Sequence, residues 1–470
     1  MDIKEKDNGD IVFVFYMGDN MFNNDFIFGV STASYQIEGS VDVDGRVKSI
    51  WDTFCENKNN ILDGSDGKMV CDSYLKYRED VKALAELGVN SYRFSISWCR
   101  VIDENNKPNL RGIKYYQNLC RELLDYNIKP CVTIYHWDMP EWISKLGGFL
   151  NDEIVDYFEY YTDVITKALS GLVNDFITIN EPQCILHMGH DACAFAPGIK
   201  YTKKEMLKAI HNLLKCHGVA VNTIRKNIKD STVGFAPCSR PMIPSDRNNI
   251  ELEKKCYLKY FECKNEPEYA NRVSIYSDPV FLGDYPKSYY EEFKGLIPNI
   301  TKEDLELISQ PIDYIYQNIY SGNYYSLDKN NNLVKNDFYF GFPEGNIDWL
   351  QVVPESLYYG PKYLYERYKK PIIISENGFC NNDVISLDGN VHDSERSDYI
   401  KRYLIELEMV SKIVDVRGYY VWSLFDNFEW SSGLKKRFGL IYIDYRNGDR
   451  IKKDSFYEYK NIIKNKGVLW

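Results

Sequence analysis

Two glutamates stand directly after apolar, β-branched stretches, where their carboxyl groups would project from the ends of strands. Residues 178–182 read Thr-Ile-Asn-Glu-Pro around Glu181, and residues 374–378 read Ile-Ser-Glu-Asn-Gly around Glu376. Two carboxyl groups in one cleft can divide a reaction, since one donates a proton while the other attacks or activates water. For either residue alone, a cap on the next helix or an ion pair with a surface lysine is an equally ordinary explanation. The pair indicates chemistry, provided that the fold brings both residues together.

A strand followed by a helical segment recurs along the chain and predicts how the two glutamates meet. Apolar residues three or four apart predict helices, as Tyr77, Val81, Leu84 and Leu87 do after the first strand. Short β-branched runs predict eight strands, at 26–33, 90–97, 130–136, 175–180, 232–237, 313–320, 371–376 and 418–425. Later helical segments lie at 153–169, 203–226, 252–263, 354–368 and 394–413. This alternation predicts the α/β class and a (β/α)8 TIM barrel, whose chemistry lies at the carboxyl ends of its strands.

An open, doubly wound sheet is the alternative architecture for such an alternation. That fold usually carries a glycine-rich phosphate turn after its first strand, whereas residues 28–31 read Phe-Gly-Val-Ser. No linker rich in Pro, Gly or Ser and no internal repeat divides the chain. We therefore expect one catalytic barrel domain over residues 22–470, with elaborated βα loops, preceded by an N-terminal extension of residues 1–21.

The composition argues against several classes of partner and cofactor. The formal net charge is −11, so phosphate backbones and anionic membranes are repelled, and we expect neither nucleic acid nor a membrane as a partner. The twelve cysteines include no Cys-x-x-Cys pair, and the six histidines include no His-x-His or His-Glu-x-x-His motif. We expect no metal and no cofactor. The oligomeric state is not predicted.

The N-terminal region contains one strongly apolar stretch, at residues 11–17. It is shorter than the roughly 20 apolar residues of a membrane-spanning helix. It also follows an acidic segment, whereas a signal peptide has a basic leader and a longer apolar region. We therefore expect a cytoplasmic protein.

Paired carboxyl groups of this kind are what cleavage of a glycosidic bond requires. Residues 26–39 read Phe-Ile-Phe-Gly-Val-Ser-Thr-Ala-Ser-Tyr-Gln-Ile-Glu-Gly. Together with the two glutamate motifs, this segment resembles the β-glucosidases of glycoside hydrolase family 1. The resemblance extends over residues 22–456, and the residues of the motifs are most similar to those of insect members. The resemblance implies that Glu376 attacks the anomeric carbon. It also implies that Glu181 protonates the aglycone and then deprotonates water, so that the configuration is retained.

The same resemblance assigns roles to residues in the other matching motifs. It implies that four residues support catalysis: Arg93, Asn180, Asn318 and Tyr320. It implies that seven bind substrate: Gln36, His136, Trp349, Trp422, Glu429, Trp430 and Phe438. The chain departs from the family where Tyr316 replaces a common glycine and Ile319 a common tyrosine. We expect altered packing around the sixth strand, without loss of activity.

The substrate that the resemblance implies is a small β-glycoside. Glu429 would accept hydrogen bonds from sugar hydroxyls and repel a phosphate at the 6-position, so an unphosphorylated sugar is favoured. We interpret Lys435 and Lys436 as part of a solvated loop and not as a phosphate site. Glucose, fucose and galactose stay open. Two other functions remain as alternatives. One is a myrosinase-like thioglucosidase: plant enzymes of this kind replace the glutamate at the position of Glu181, but insect ones retain it. The other is a non-catalytic glycan-binding relative, although such relatives typically lack one of the two catalytic glutamates.

Overall fold

The computed structural model describes residues 2–5, 11–14, 22–68 and 70–469 of the chain. Within the predicted extension of residues 1–21, Asp2–Glu5 and Ile11–Val14 pair as an antiparallel two-stranded sheet. The rest of that extension, including residues 15–17 of the apolar stretch, lies outside the described residues. Among the described residues, no helix has the length and apolar character needed to cross a membrane.

Eight parallel strands close into a barrel. They are β1 to β8 in chain order: Ile27–Ser31, Ser91–Ser95, Lys129–Tyr135, Asp175–Asn180, Thr232–Ala236, Tyr314–Ile319, Ile372–Asn377 and Val416–Trp422. Each strand pairs in parallel with the next, and β8 pairs with β1, Gly418 lying opposite Ile27. The predicted TIM barrel is confirmed, and the predicted strands match these eight, although several ends differ by one to three residues.

Helices follow every strand and form the outer layer. The long ones are Ser73–Leu87, Leu110–Asp125, Ile154–Leu169, Lys203–Asn227, Ile250–Tyr260, Val273–Leu282, Ser356–Tyr368, Ser394–Ser411 and Asp454–Asn465. The side chains at positions 113, 116, 119 and 123 of the second are buried, as its apolar spacing predicts. Reciprocal capping boxes begin some helices, for example Thr202 with Glu205, which satisfies free backbone N–H groups.

Additional short elements lie in the segments between these strands and long helices. The helices are Ser34–Ile37, Ile50–Glu56, Trp98–Val101, Glu141–Lys145, Lys287–Glu292 and Lys302–Ile308, with 3-10 turns at Lys58–Asn60, Gly148–Leu150, Tyr269–Asn271 and Trp430–Lys435 and a π-helix at Cys184–Asp191. The strands are Cys238–Ser239, Met242–Pro244, Asn323–Leu327, Leu333–Lys335, Ile441–Asp444 and Asp449–Lys452. The sequence analysis did not identify these strands, because each is short and lacks an alternating pattern.

The two departures around the sixth strand are accommodated by glycines opposite them. Tyr316 is buried inside the barrel, where a Cβ on Gly234 would lie 2.4 Å from its ring. Ile319 is buried on β6, and a Cβ on Gly360 would lie 2.3 Å from its Cδ1. Both bulky side chains therefore fill space that a small neighbour leaves free.

Candidate active site

Glu376 lies near the end of β7 and is held by two donors. Arg93 Nη1 donates to its Oε1 at 2.5 Å, and the Tyr320 hydroxyl donates to its Oε2 at 2.8 Å. The Arg93 side chain is fully buried, and that of Glu376 is 5% exposed. A buried charge-assisted hydrogen bond of this length holds the carboxylate in one orientation.

The Arg93 guanidinium connects three strands at the mouth of the barrel. Its Nε donates to Thr133 Oγ1 at 3.1 Å, and its Nη1 also donates to the Ser375 carbonyl at 3.1 Å. Its Nη2 donates to Asn180 Oδ1 at 2.6 Å. Each of the three guanidinium nitrogens therefore donates to an acceptor, which compensates for the burial of the side chain and fixes its position.

Glu181 follows β4 directly and has a left-handed backbone, with φ of 44°. Its N–H donates to the Ala236 carbonyl at 2.7 Å, and its Oε1 accepts from Asn318 Nδ2 at 2.7 Å. Burial, reinforced by the negative charge of Glu376, raises the pKa of Glu181 to about 7. Glu181 is therefore the carboxyl group that holds a proton near neutral pH, while its partner has the arginine.

An amide relay joins the two glutamates. Asn318 Nδ2 also donates to Asn180 Oδ1 at 3.0 Å, and Ser375 Oγ donates to Asn318 Oδ1 at 2.6 Å. The three side chains are buried. Glu181 is therefore linked through Asn318 and Asn180 to Arg93, which bonds to Glu376, so one hydrogen-bond network positions both glutamates.

Two polar atoms beside this network are buried and have no partner among the described residues. His136 Nε2 accepts from Asn180 Nδ2 at 3.2 Å, which leaves Nδ1 as the donor without an acceptor. Burial, together with Arg93, lowers the pKa of His136 well below its usual value, so the ring is neutral. Gln36 Nε2 donates to the Phe428 carbonyl at 2.8 Å, which leaves Oε1 as the acceptor without a donor. Unpaired buried groups of both kinds fit a polyhydroxylated ligand.

Glu429 lies on the loop after β8, next to Gln36. Gln36 Nε2 donates to its Oε2 at 3.4 Å, and its backbone N–H donates to the Gly433 carbonyl at 2.8 Å. Burial, with the charges of Glu376 and Glu181, raises the pKa of Glu429 to about 8. Three carboxyl groups thus share one pocket, which disfavours a further anion.

Aromatic rings form the walls of this pocket. The Trp422 and Trp430 rings both stack on the His136 ring, with centroids 6.0 and 5.9 Å away. At the rim, Trp349 is 41% exposed and stacks on buried Phe438 at 6.3 Å. Tyr320 contacts both of these rim rings edge-on. The two buried indoles present flat apolar faces to the pocket, and the exposed one lies at its rim.

A buried ion network supports the loop that carries Glu429. Lys453 Nζ donates to Asp383 at 2.5 Å and to Asp426 at 2.6 Å, and Arg396 Nη2 donates to Asp383 at 2.7 Å. All four side chains are fully buried. The network ties Asp426, on the loop, to Lys453 at the start of the last helix, and pulling the two apart would leave the buried Lys453 and Asp426 charges less fully compensated.

All the residues that the sequence analysis placed in the site lie together at the carboxyl end of the barrel. Four supporting residues were not identified from the sequence: Thr133, Trp137, Ser375 and Asn427. Ser375 stands inside the motif around Glu376, and Trp137, which directly follows His136, donates from Nε1 to the Asn180 carbonyl at 2.9 Å. Thr133 gave no sequence signal, because its role depends on Arg93 of the neighbouring strand.

The comparisons with known proteins agree with this site. The family model described as Glycosyl hydrolase family 1 matches residues 18–468. The chain is 36% identical over 450 residues to Beta-glucosidase A of Thermotoga maritima, covering 95% of this chain and 98% of that protein. It is 38% identical over 454 residues to Beta-glucosidase A of Acetivibrio thermocellus, covering 95% and 99%.

A solved structure of the beta-glucosidase from Thermotoga maritima in complex with glucoimidazole has a TM-score of 0.86 to this chain at 36% identity. That match covers 95% of this chain and 99% of the solved chain. Sequence and structure therefore agree over nearly the whole length, and the chain belongs to glycosyl hydrolase family 1 and is a glycoside hydrolase.

Proposed function

We propose that this chain releases an unphosphorylated β-linked sugar of the glucose type from its aglycone by a retaining double displacement. Glu376 is the nucleophile and Glu181 the acid/base. The observation that carries the proposal is the contrast between the two carboxyl groups: one is bound at 2.5 Å to a buried guanidinium, and burial raises the pKa of the other to about 7. Such a contrast is how two carboxyl groups take different roles in one site.

In the first step, a Glu376 oxygen attacks the anomeric carbon while the glycosidic C–O bond breaks. The proton of Glu181 passes to the departing oxygen, so the aglycone leaves as a neutral alcohol or phenol. Arg93 and the Tyr320 hydroxyl orient the attacking carboxylate. Asn318 holds the acid at 2.7 Å.

In the second step, Glu181 removes a proton from water, which attacks the anomeric carbon and breaks the bond to Glu376. Esterification has by then removed the charge of Glu376, which is one of the causes that raise the pKa of Glu181. The pKa of Glu181 therefore falls in the intermediate, and the same group that served as an acid becomes a base.

The sugar is proposed to be unphosphorylated because the pocket is already acidic. Glu429 lies near enough for Glu376 and Glu181 to raise its pKa, and a 6-phosphate would add further negative charge. Lys435 is exposed, and Lys436 Nζ donates to Asn346 at 3.3 Å. Relatives named for β-glucosidase activity, and a relative's complex with glucoimidazole, support a small glucose-like ligand.

The test is hydrolysis of p-nitrophenyl β-D-glucoside by the wild type, by Glu376→Gln and by Glu181→Ala with azide. We expect turnover by the wild type and none by Glu376→Gln. Azide is expected to rescue Glu181→Ala and give the β-glycosyl azide, because azide attacks the glycosyl-enzyme without a base. A matched control is Glu408→Gln, a buried glutamate on the outer helix Ser394–Ser411.

Two results would contradict the proposal. An α-glycosyl azide would show inversion, and a wild type inert towards O- and S-linked β-glycosides alike would favour the glycan-binding alternative. The thioglucosidase alternative is tested in the same assay by comparing O- and S-linked glucosides. The Glu181 carboxyl supports the O-glycosidase, because an acid is needed to protonate a poor oxygen leaving group.

The domain and compartment assignments are also proposals. We propose one catalytic domain over residues 22–470, an extension at residues 1–21, a cytoplasmic location and no nucleic-acid or membrane partner. The twelve cysteines are free thiols, which is typical of a reducing compartment, and the net charge is −11. Deletion of residues 1–21 is expected to leave activity unchanged, and fractionation of the source cells tests the location.

A further inference from the structure

Two thiols lie beside the acid/base carboxyl, in a place that the proposed hydrolysis does not use. Cys184 begins the π-helix after Glu181, and Cys238 lies on the short strand after β5. Their sulfur atoms are 3.9 Å apart. A ligand oxygen of Glu181 and both sulfur atoms lie within 4.8 Å of one another, and no other described group of His, Cys, Asp or Glu has this arrangement with three members.

The distance between the sulfur atoms matches that of two ligands on one tetrahedral ion. With metal–sulfur bonds of about 2.3 Å, two sulfur atoms of a tetrahedral zinc site are roughly 3.8 Å apart. A carboxylate oxygen as third ligand leaves a fourth position for water. Thiolate ligands select soft or borderline ions over Mg²⁺ or Ca²⁺.

Hydrogen bonds between the two chain segments hold the two thiols in this arrangement. Gln183, next to Cys184, donates from Nε2 to the Cys238 carbonyl at 2.9 Å and accepts from the Cys238 N–H at 3.4 Å. The Glu181 N–H donates to the Ala236 carbonyl at 2.7 Å. Three hydrogen bonds therefore fix the segment carrying one thiol to the segment carrying the other, so little rearrangement precedes binding.

An ion can reach these ligands. Both cysteines are partly exposed, and Cys184 lines a cavity together with Trp137 and Phe195. Glu376 and Glu429 both lie near Glu181, and the charge of Glu376 is balanced by Arg93. The attraction of an ion to this place therefore rests on its three ligands.

We propose that Cys184, Cys238 and Glu181 form an inhibitory site for a thiophilic divalent cation of the zinc class. The bound ion draws the Glu181 carboxylate into coordination and removes it from proton transfer. The ion takes no part in hydrolysis, so the site differs from that of a metal-dependent hydrolase. The site has no signature in the sequence, because the two cysteines are 54 residues apart and belong to no Cys-x-x-Cys motif.

The first measurement is Cd²⁺ binding to the full chain, kept reduced by a phosphine. Calorimetry gives the stoichiometry, and the ultraviolet thiolate-to-cadmium absorption reports sulfur ligation directly. We expect one tight ion in the wild type. Loss of one ligand, in Cys184→Ser or Cys238→Ser, is expected to weaken binding by more than about 100-fold, since changes further out already cost 10–100-fold.

Cys193→Ser is the matched control, because Cys193 is a partly exposed cysteine on the same loop and its thiol lies near the Asp191 carbonyl rather than another sulfur. This variant is expected to bind Cd²⁺ like the wild type. No thiolate absorption in the wild type, or undiminished binding by Cys184→Ser and Cys238→Ser, would overturn the site.

The second measurement is inhibition, and this step rests on the proposed function. Zn²⁺ is expected to inhibit glucoside hydrolysis by the wild type and Cys193→Ser, and to lose potency by more than about 100-fold in the two site variants. Cd²⁺ binding without inhibition would refute the regulatory effect and keep the ion site. An inactive wild type that binds Cd²⁺ would refute the hydrolase assignment alone, so the two failures are distinguishable.

Discussion

The sharpest consequence of the geometry is a pH dependence that changes with the leaving group. Burial and the charge of Glu376 raise the pKa of Glu181 to about 7, so the acid form dominates below pH 7. One pH unit higher, about a tenth of the molecules keep the proton, and two units higher about a hundredth. For an aglycone that needs protonation, kcat/KM at pH 8 and pH 9 should fall to about those fractions of its value at pH 6.

The assay compares phenyl β-D-glucoside with 2,4-dinitrophenyl β-D-glucoside between pH 5 and pH 9. The dinitrophenolate leaves as a stable anion and does not need the proton, so its kcat/KM should not follow the titration of Glu181. Because kcat/KM reports the pKa values of the free enzyme, the unliganded structure is the right reference. Any decline shared by both substrates belongs to other groups, such as Glu429 with its pKa of about 8.

Equal declines with both substrates would refute the assignment of Glu181 as the proton donor. Two variants sharpen the comparison. Glu181→Ala should lose most activity on the phenyl glucoside while its first step on the dinitrophenyl glucoside survives. Glu376→Gln removes the neighbouring charge, so the pKa of Glu181 should fall, which carboxyl carbon NMR measures directly.

Three further perturbations test the contacts around the site. Glu429 has a folded pKa of about 8, above its unfolded value, so the protein loses stability as pH rises from about 4.5 to 8. Glu429→Gln should therefore raise the free energy of unfolding at pH 9, by about 1.4 kcal/mol per pKa unit removed, and not at pH 4, as urea unfolding at the two pH values measures. Tyr320→Phe removes one donor to Glu376 and should lower kcat/KM about 10–100-fold with unchanged circular dichroism. Lys453→Met removes one of the two cations that pair with each of the buried carboxylates Asp383 and Asp426 and should cost about 3–5 kcal/mol in urea unfolding; a loss under 1 kcal/mol would contradict the network.

The local pattern was enough to predict the barrel. The strand at 175–180 was predicted with the bounds it has, because a β-branched run ends at Asn180 and a proline follows Glu181. The last strand was predicted at 418–425 but ends at Trp422, since the next residues leave the barrel towards the ion network. The small strands in the loops were missed, because each spans only two to five residues.

The site residues were implied by the family motifs, whereas spacing along the chain alone specified none of their contacts. Gln36 and Glu429 are 393 residues apart, and Arg93 and Glu376 are 283 apart, so nothing near either residue in sequence specifies the pairing. The roles of Thr133 and Ser375 and the closeness of Cys184 to Cys238 also emerged only in three dimensions.

The sequence by itself determined the alternation of strands and helices, the position of each glutamate at a strand end and the acidic charge. These properties depend on each residue and its neighbours along the chain, through steric preference and apolar periodicity. Only the tertiary structure decided which carboxyl group keeps its proton and which lies on the arginine. Those properties arise from desolvation and from charges a few ångströms away through space, which the closing of the barrel creates.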